Sequence, residues 1–180
     1  MEFNKELIER SLKIWDFDID HISTGTIQHV PMHEWRIATK DKPLLYVENL
    51  QCCVGLYAYG NNFAFAAHIN TVVFDKNEYA LDKNRNPSYC NRCQDLLAQI
   101  LNYDGNIMEP FKIGIALGVA PLADVEKSMA LIYNGVEELI KRLSYLGIPI
   151  VQLENIIAPE FIVDTLNNCI ITPKQNKILK

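Results

Sequence analysis

Two residues in the stretch 47–71, VENLQCCVGLYAYGNNFAFAAHINT, have types suited to nucleophilic chemistry: Cys53 and His68. A thiol beside an imidazole can pass its proton to the ring and form a thiolate–imidazolium pair, the common activated form of a cysteine nucleophile. That chemistry needs the two side chains to meet, so the elements carrying them decide whether it is available. Segments 53–59 and 62–70 are rich in aromatic and small apolar residues, with Gly60-Asn61 between them. That pair favours a two-residue hairpin turn. Tyr59 then faces Asn62, and counting back sets Cys53 opposite His68, with Cβ atoms roughly 5 Å apart.

The same register puts Val54, Leu56, Ala58, Phe63, Phe65 and Ala67 on one uniformly apolar face. Cys53, Gly55, Ala64, Ala66 and His68 share the other, where the small residues leave room beside the thiol. A three-residue turn over 60–62 shifts the pairing by one and puts Cys52 there instead. Tyr57 also falls on the Cys53 face and is placed to wall a substrate pocket. Against this stands the ordinary role of such residues: free cysteines are among the most buried residue types, and a lone strand histidine is usually part of the core.

The chain has 180 residues, 49% of them hydrophobic, which suits one domain with a sizeable core. A net charge of -5 gives no basic footprint for nucleic acid. No apolar run is long enough to span a membrane. Residues 5–15 have an amphipathic helical pattern with charges throughout, unlike a signal peptide, so residues 1–24 are expected to be a helix and linker ahead of one domain over 25–180. Five cysteines, two adjacent and two as Cys90-x-x-Cys93, argue against a secreted disulfide framework and for a reducing cytoplasm.

Strands are expected over 25–30, 34–39 and 44–48, followed by the hairpin and a short segment 72–74. Residues 75–87 are polar and are expected to be a loop. Ser88 can N-cap a helix reaching about residue 103, whose apolar stripe is Leu96, Leu97, Ile100 and Leu101. Residues 111–119 read as a buried strand and 121–129 as helical. Asn134 to Glu137 has a capping-box pattern opening a further helix, stopped by Gly147 and Pro149. Strands follow over 150–153, 161–164 and 169–172, the last two joined by a turn at Asn167-Asn168. This order describes an α+β layered sandwich of mainly antiparallel sheets with helices on their faces.

The other reactive types carry weaker signals. Cys90 and Cys93 near a helix start have the spacing of a redox pair, but no second pair follows at zinc-ligand spacing. Cys169 reads as core. His21, His29 and His33 lie close in sequence, yet their spacing does not make a metal site, and neither metal nor cofactor is expected. Trp35 and the Tyr57, Tyr59 pair read most simply as packing residues.

The order of elements and the short motifs resemble the chemoreceptor glutamine deamidase family CheD. That family belongs to a cysteine amidohydrolase fold shared with the cytotoxic necrotizing factor toxins and protein N-terminal asparagine amidohydrolase. Met32 to Ala38 is similar to its M-x-D-Y-x-V-A strand, Cys53-Val54-Gly55-Leu56-Tyr57 to its S-C-V-x-x-x-Y stretch, and Ala67-His68 to its A-H pair. Segment 111–118 lies where its third central strand runs. Asn134 through Leu146-Gly147-Ile148-Pro149-Ile150-Val151 resembles its helix and following strand, and 161–171 its closing hairpin. The likeness covers nearly all of the chain after residue 25.

The resemblance implies that Cys53 is the nucleophile and His68 the general base, acting on the carboxamide of Gln or Asn in a protein or peptide. Backbone N–H groups near Cys52 and Cys53 would stabilise the oxyanion. Three departures stand out. The family's third catalytic residue is a Thr six positions before the Cys, and here that position is Val47, which cannot orient an imidazole. Glu48, Asn49 and Asn70 are the nearby residues able to substitute. Cys52 stands where the family has Ser. Its glycine-rich, Arg-bearing substrate loop is replaced by Asn155 to Glu160, which argues for a different substrate. The resemblance also implies an alternative function: a catalytically silent adaptor that binds a signalling protein.

Overall fold

The computed structural model describes residues 26–72, 76–84, 87–119 and 126–173. The expected helix over 5–15, and all of residues 1–25, lie outside the described residues. In chain order the elements are β1 (Ile27–Val30), β2 (Trp35–Ile37), β3 (Leu44–Val47), β4 (Cys53–Gly60), β5 (Phe63–Asn70), β6 (Tyr79–Leu81), β7 (Pro87–Cys90), α1 (Asn91–Leu101), β8 (Phe111–Leu117), α2 (Glu126–Tyr145), β9 (Ile150–Gln152), β10 (Ile156–Ile157), β11 (Phe161–Asp164) and β12 (Cys169–Ile171).

They form an α+β layered sandwich. The central sheet has the order β10-β8-β4-β5-β2, with β9 also on β8. β4, β5, β8 and β2 are mutually antiparallel neighbours, while β9 and β10 run parallel to β8. The second sheet has the order β1-β3-β11-β12, and β6 and β7 form a separate ribbon. The long hairpin β4–β5 sits in the middle and is buried on both faces, apart from the half-buried Asn70. Its alternation decides the layers. Val54, Leu56, Ala58, Phe63, Phe65, Ala67 and Ile69 pack with Leu96 and Ile100 of α1 and Ile132, Val136 and Leu139 of α2. Cys53, Tyr57, Tyr59, Ala64 and Ala66 pack with Val30, Leu45, Val47, Phe161 and Val163 of the second sheet.

The hairpin has the expected faces but not the expected pairing. The turn is Asn61-Asn62, with Gly60 opposite Phe63, so Cys53 faces Asn70 and His68 faces Gly55. Both asparagines take the left-handed conformation, at φ 56° and 61°, which the turn requires and Asn tolerates. Asn61 is also claimed from outside: its side-chain oxygen accepts the N–H groups of Met108 and Glu109 at 2.7 and 3.0 Å, and its amide donates to the Glu109 carbonyl at 2.7 Å. The shift of pairing is two residues, so every side chain keeps its face.

Other expectations are corrected by packing. The polar stretch 75–87 contains β6 and the start of β7 rather than a loop alone. Ser88 lies in β7 and donates to the Ala80 carbonyl at 3.0 Å; the N-cap of α1 is Cys90. Asn134 caps nothing, because α2 runs through it. Ser128, Ile132, Val136, Leu139 and Leu143 form one continuous buried stripe across that point. Residues 156–157, expected in a loop, add β10 to the central sheet. The last hairpin closes with Asp164 opposite Cys169, a longer connection than the two-residue turn at Asn167-Asn168.

Candidate functional site

Cys53 opens β4 and His68 lies near the end of β5. They share the face turned toward the second sheet but are diagonal neighbours, not an opposed pair. Diagonal Cα atoms lie about 7–8 Å apart, with Cβ atoms somewhat closer. Both residues are buried, at 3% and 2% exposure. Neither ring nitrogen of His68 completes a hydrogen bond among the described residues, although the Val30 backbone stands near enough to favour the charged ring. An imidazole held this deep with its ring nitrogens unsatisfied carries a desolvation cost that the surrounding structure must offset.

Burial pushes the Cys53 thiol up to about 12, aided by the adjoining Cys52 thiol and by the charge of Glu78. Burial also pulls the His68 ring down to about 4, with His29 and His33 acting the same way and Glu48 opposing. The resting pair at neutral pH is therefore a neutral thiol and a neutral imidazole. This corrects the expectation of a preformed thiolate–imidazolium pair. A neutral ring is a competent proton acceptor, so the arrangement suits general-base transfer during attack.

The loop before Cys53 is held tightly. The Leu50 N–H donates to the Pro159 carbonyl at 2.7 Å, and Gly118 N–H donates to the Cys53 carbonyl at 3.1 Å. A Cβ on Gly118 would lie 1.5 Å from the Leu50 carbonyl oxygen, so only glycine lets the two segments approach this closely. The Thr71 hydroxyl donates to the Cys52 carbonyl. Cys52 itself is half-buried, beside Cys53.

The proposed substitutes for the missing Thr do not bond to His68. Glu48 Oε1 lies 2.9 Å from His29 Nε2 and acts on His68 only through its charge. Asn49 is exposed with φ at 56°. Asn70 offers its side chain to Met32 Sδ at 3.5 Å and to the Val72 N–H at 2.8 Å. Val47 is buried between the sheets. Tyr57 lies on the expected face and is packed against Tyr59 and Phe161 in the core, as its simplest reading has it, and does not wall a pocket. Glu160, expected to face substrate, is buried and accepts the Tyr46 hydroxyl. Ile157 of the same segment is 68% exposed.

Two polar residues that the sequence did not single out join this region. Glu78 and Arg92 are buried. Glu78 Oε2 lies 3.1 Å from His33 Nδ1, and Arg92 donates to the His33 carbonyl at 2.7 Å. The only trace of Glu78 in the sequence is a carboxylate beside Tyr79 in a polar run, which reads as solvated. Among the described residues no group of three His, Cys, Asp or Glu side chains is arranged to hold a metal. His21 lies outside the described residues. A cleft of about 510 Å³ opens beside β2, lined by His33, Trp35, Arg36 and Arg92; neither Cys53 nor His68 lines it.

The second thiol pair differs. Cys90 and Cys93 are fully buried where α1 begins. Cys93 and the N–H groups of Arg92 and Cys93 hold the Cys90 thiol below its usual range, while the Cys93 thiol is held well above it. Gly135 of α2 packs against Cys93, where a Cβ would lie 2.7 Å from its sulfur. No helix of the described residues is long and apolar enough to cross a membrane. Compared with known proteins, the sequence matches no family model and no curated protein.

Proposed function

We propose that this chain is a cysteine-dependent amidohydrolase that deamidates Gln or Asn side chains of a protein or peptide, as its resemblance to CheD implies. The observation that carries the reading is the buried His68 ring, its nitrogens unsatisfied among the described residues, on the same face as Cys53 and one diagonal step away. His68 takes the thiol proton as the Cys53 sulfur attacks the carboxamide carbon. It returns that proton to the leaving nitrogen, which departs as ammonia and leaves a thioester. It then takes a proton from water, whose oxygen displaces the sulfur to give the acid and restore the thiol. One water is consumed and one ammonia released for each amide.

The surroundings favour an apolar stretch next to the target amide. Met32 touches Asn70, Val72 follows the residue bonded to Cys52, Val119 follows Gly118, and Ile157 pairs with Leu117 beside Val54. All four are exposed. Glu160 does not contribute, being turned into the core.

The test is incubation with candidate proteins and a peptide library, read by mass spectrometry for conversion of amide to acid and by ammonia release. Activity that disappears in Cys53→Ala and His68→Ala is the expected result, and activity that persists in Cys53→Ala rejects the nucleophile. The near-complete burial of Cys53 and His68 favours the second reading, a silent adaptor. Inactivity on every substrate, with a protein partner bound equally by wild type and Cys53→Ala, would establish that reading.

A further inference from the structure

Glu78 lies in the stretch whose sequence looks like a solvated loop, yet it is fully buried. A buried carboxylate is tolerated only where donors hold it. Its Oε1 accepts the backbone N–H of Asn70 at 3.0 Å, and Asn70 is the residue paired across the ladder with Cys53. Its Oε2 lies 3.1 Å from His33 Nδ1, and the His33 backbone N–H donates to the His68 carbonyl at 2.9 Å. The Glu78 carbonyl accepts the N–H of Asn91 at 2.6 Å, which ties it to the start of α1. Arg92 of the same turn bonds the His33 carbonyl at 2.7 Å and Asp95 at 2.7 Å. One carboxylate thus reaches the cross-strand partner of the thiol and the backbone neighbour of the imidazole. Its Oε2 is close to His33 but not aligned for a full hydrogen bond, and Arg92 Nε is also unsatisfied. Such shortfalls in a buried network call for an explanation, and a catalytic role is one.

We propose that Glu78 is a positioning residue for the Cys53–His68 pair, its carboxylate clamping the backbone neighbours of both. The inference rests on the amidohydrolase reading of that pair. The titratable groups around Glu78 are His33 before β2, Arg92 of α1, Cys53 of β4, and Tyr79 and Cys90 of the β6–β7 ribbon. A negative charge at Glu78 opposes a second one on the Cys53 sulfur, in the same direction as burial. Burial and the Cys52 thiol raise the Cys53 thiol first, and the Glu78 charge adds to them in favouring its resting, protonated form.

Glu78→Gln retains an oxygen for the Asn70 N–H and removes the charge. The readout is the pH profile of iodoacetamide labelling at Cys53, resolved by peptide, with Cys169 as internal reference. The expected result is a Cys53 profile displaced to lower pH, labelling several-fold faster at a given mildly alkaline pH, with Cys169 unchanged. A Cys53 profile identical to wild type overturns the inference. Equal acceleration at Cys53 and Cys169 also overturns it, because that is general loosening. The unmodified protein gives a second measurement that does not depend on the variant folding. The Asn70 amide should exchange slowly with solvent, and exchange at the rate of an open amide overturns the clamp. A Cys53-dependent deamidase whose profile ignores Glu78→Gln rejects this inference alone. Deamidation that persists in Cys53→Ala rejects the functional reading alone.

Discussion

The two faces of the β4–β5 hairpin are built by the same strands and do different work. The face toward α1 and α2 holds apolar side chains alone, from Val54 to Ile69. The face toward the second sheet alternates glycine and alanine with Cys53, Tyr57, Tyr59 and His68. Burial is equally complete on both. What differs is the result of burial: on one face it yields stabilisation alone, and on the other it also shifts titrating groups. Stability and chemistry are thus separable by face, and substitutions test that separation.

The largest effect is expected on the apolar face. Phe65 is fully buried and stacked on Trp35 with ring centroids 5.5 Å apart. Phe65→Ala should cost about 3–5 kcal/mol in denaturant unfolding. A cost below that of a surface substitution would contradict the layer assignment.

The next effect comes from the chemical face and depends on pH. His68 is lowered from 6.5 to about 4 in the folded protein. The unfolded chain therefore binds more protons between those values, and stability falls as pH drops from about 6.5 through about 4. The full difference is on the order of 3 kcal/mol at about 1.4 kcal/mol per unit. Glu78 acts in the opposite sense, since burial raises its carboxyl and its share of stability is lost as pH rises. The difference between wild type and His68→Gln isolates the histidine. Parallel pH–stability curves for the two proteins would show that His68 is not buried as a neutral ring.

A smaller effect is expected at Gly55, which faces His68 across the ladder. A Cβ there would lie 2.3 Å from the Phe161 ring. Gly55→Ala should cost about 1–3 kcal/mol through overpacking. It should lower activity further by displacing the ring layer beside the pair, read as thermal unfolding and turnover together. The smallest effect on stability is expected for Cys53→Ala, about 1 kcal/mol, with the proposed deamidase activity lost entirely. A large loss of stability with activity retained would reverse the contrast between the faces.

The two thiol pairs sharpen the same point. Cys90 is the more acidic thiol because the Cys93 side chain, and then N–H groups of the first turn of α1, bond to it, yet it is fully buried. Cys53 is the less acidic but shares a face with an imidazole whose ring nitrogens complete no hydrogen bond among the described residues. Acidity and proximity to an imidazole therefore single out different cysteines, and the proposed function rests on proximity. The sequence placed His68 on the Cys53 face but not at its observed diagonal position.

Much of the fold was legible because period-two alternation survives errors of register. The turn was placed one residue early and the pairing was displaced by two, and each hairpin side chain still fell on its observed face. Local signals failed where a distant partner outweighed them. The Asn134 cap pattern lost to the continuous stripe of α2 packed on the core. The polar run 75–87 hid Tyr79 and Glu78, both fully buried.

The sequence by itself determined the central hairpin, the two residue types able to do chemistry and the face they share, because these follow from side-chain alternation along single strands. Only the tertiary structure decided that Cys53 and His68 are diagonal and uncharged at rest, and that Glu78 lies behind them. In the observed register the Asn61 side chain satisfies the Met108–Glu109 backbone, a pairing of segments far apart in the chain. The charge states were set by the second sheet covering the pair and excluding water. Desolvation is a property of what packs above a residue, and neighbours in sequence do not reveal it.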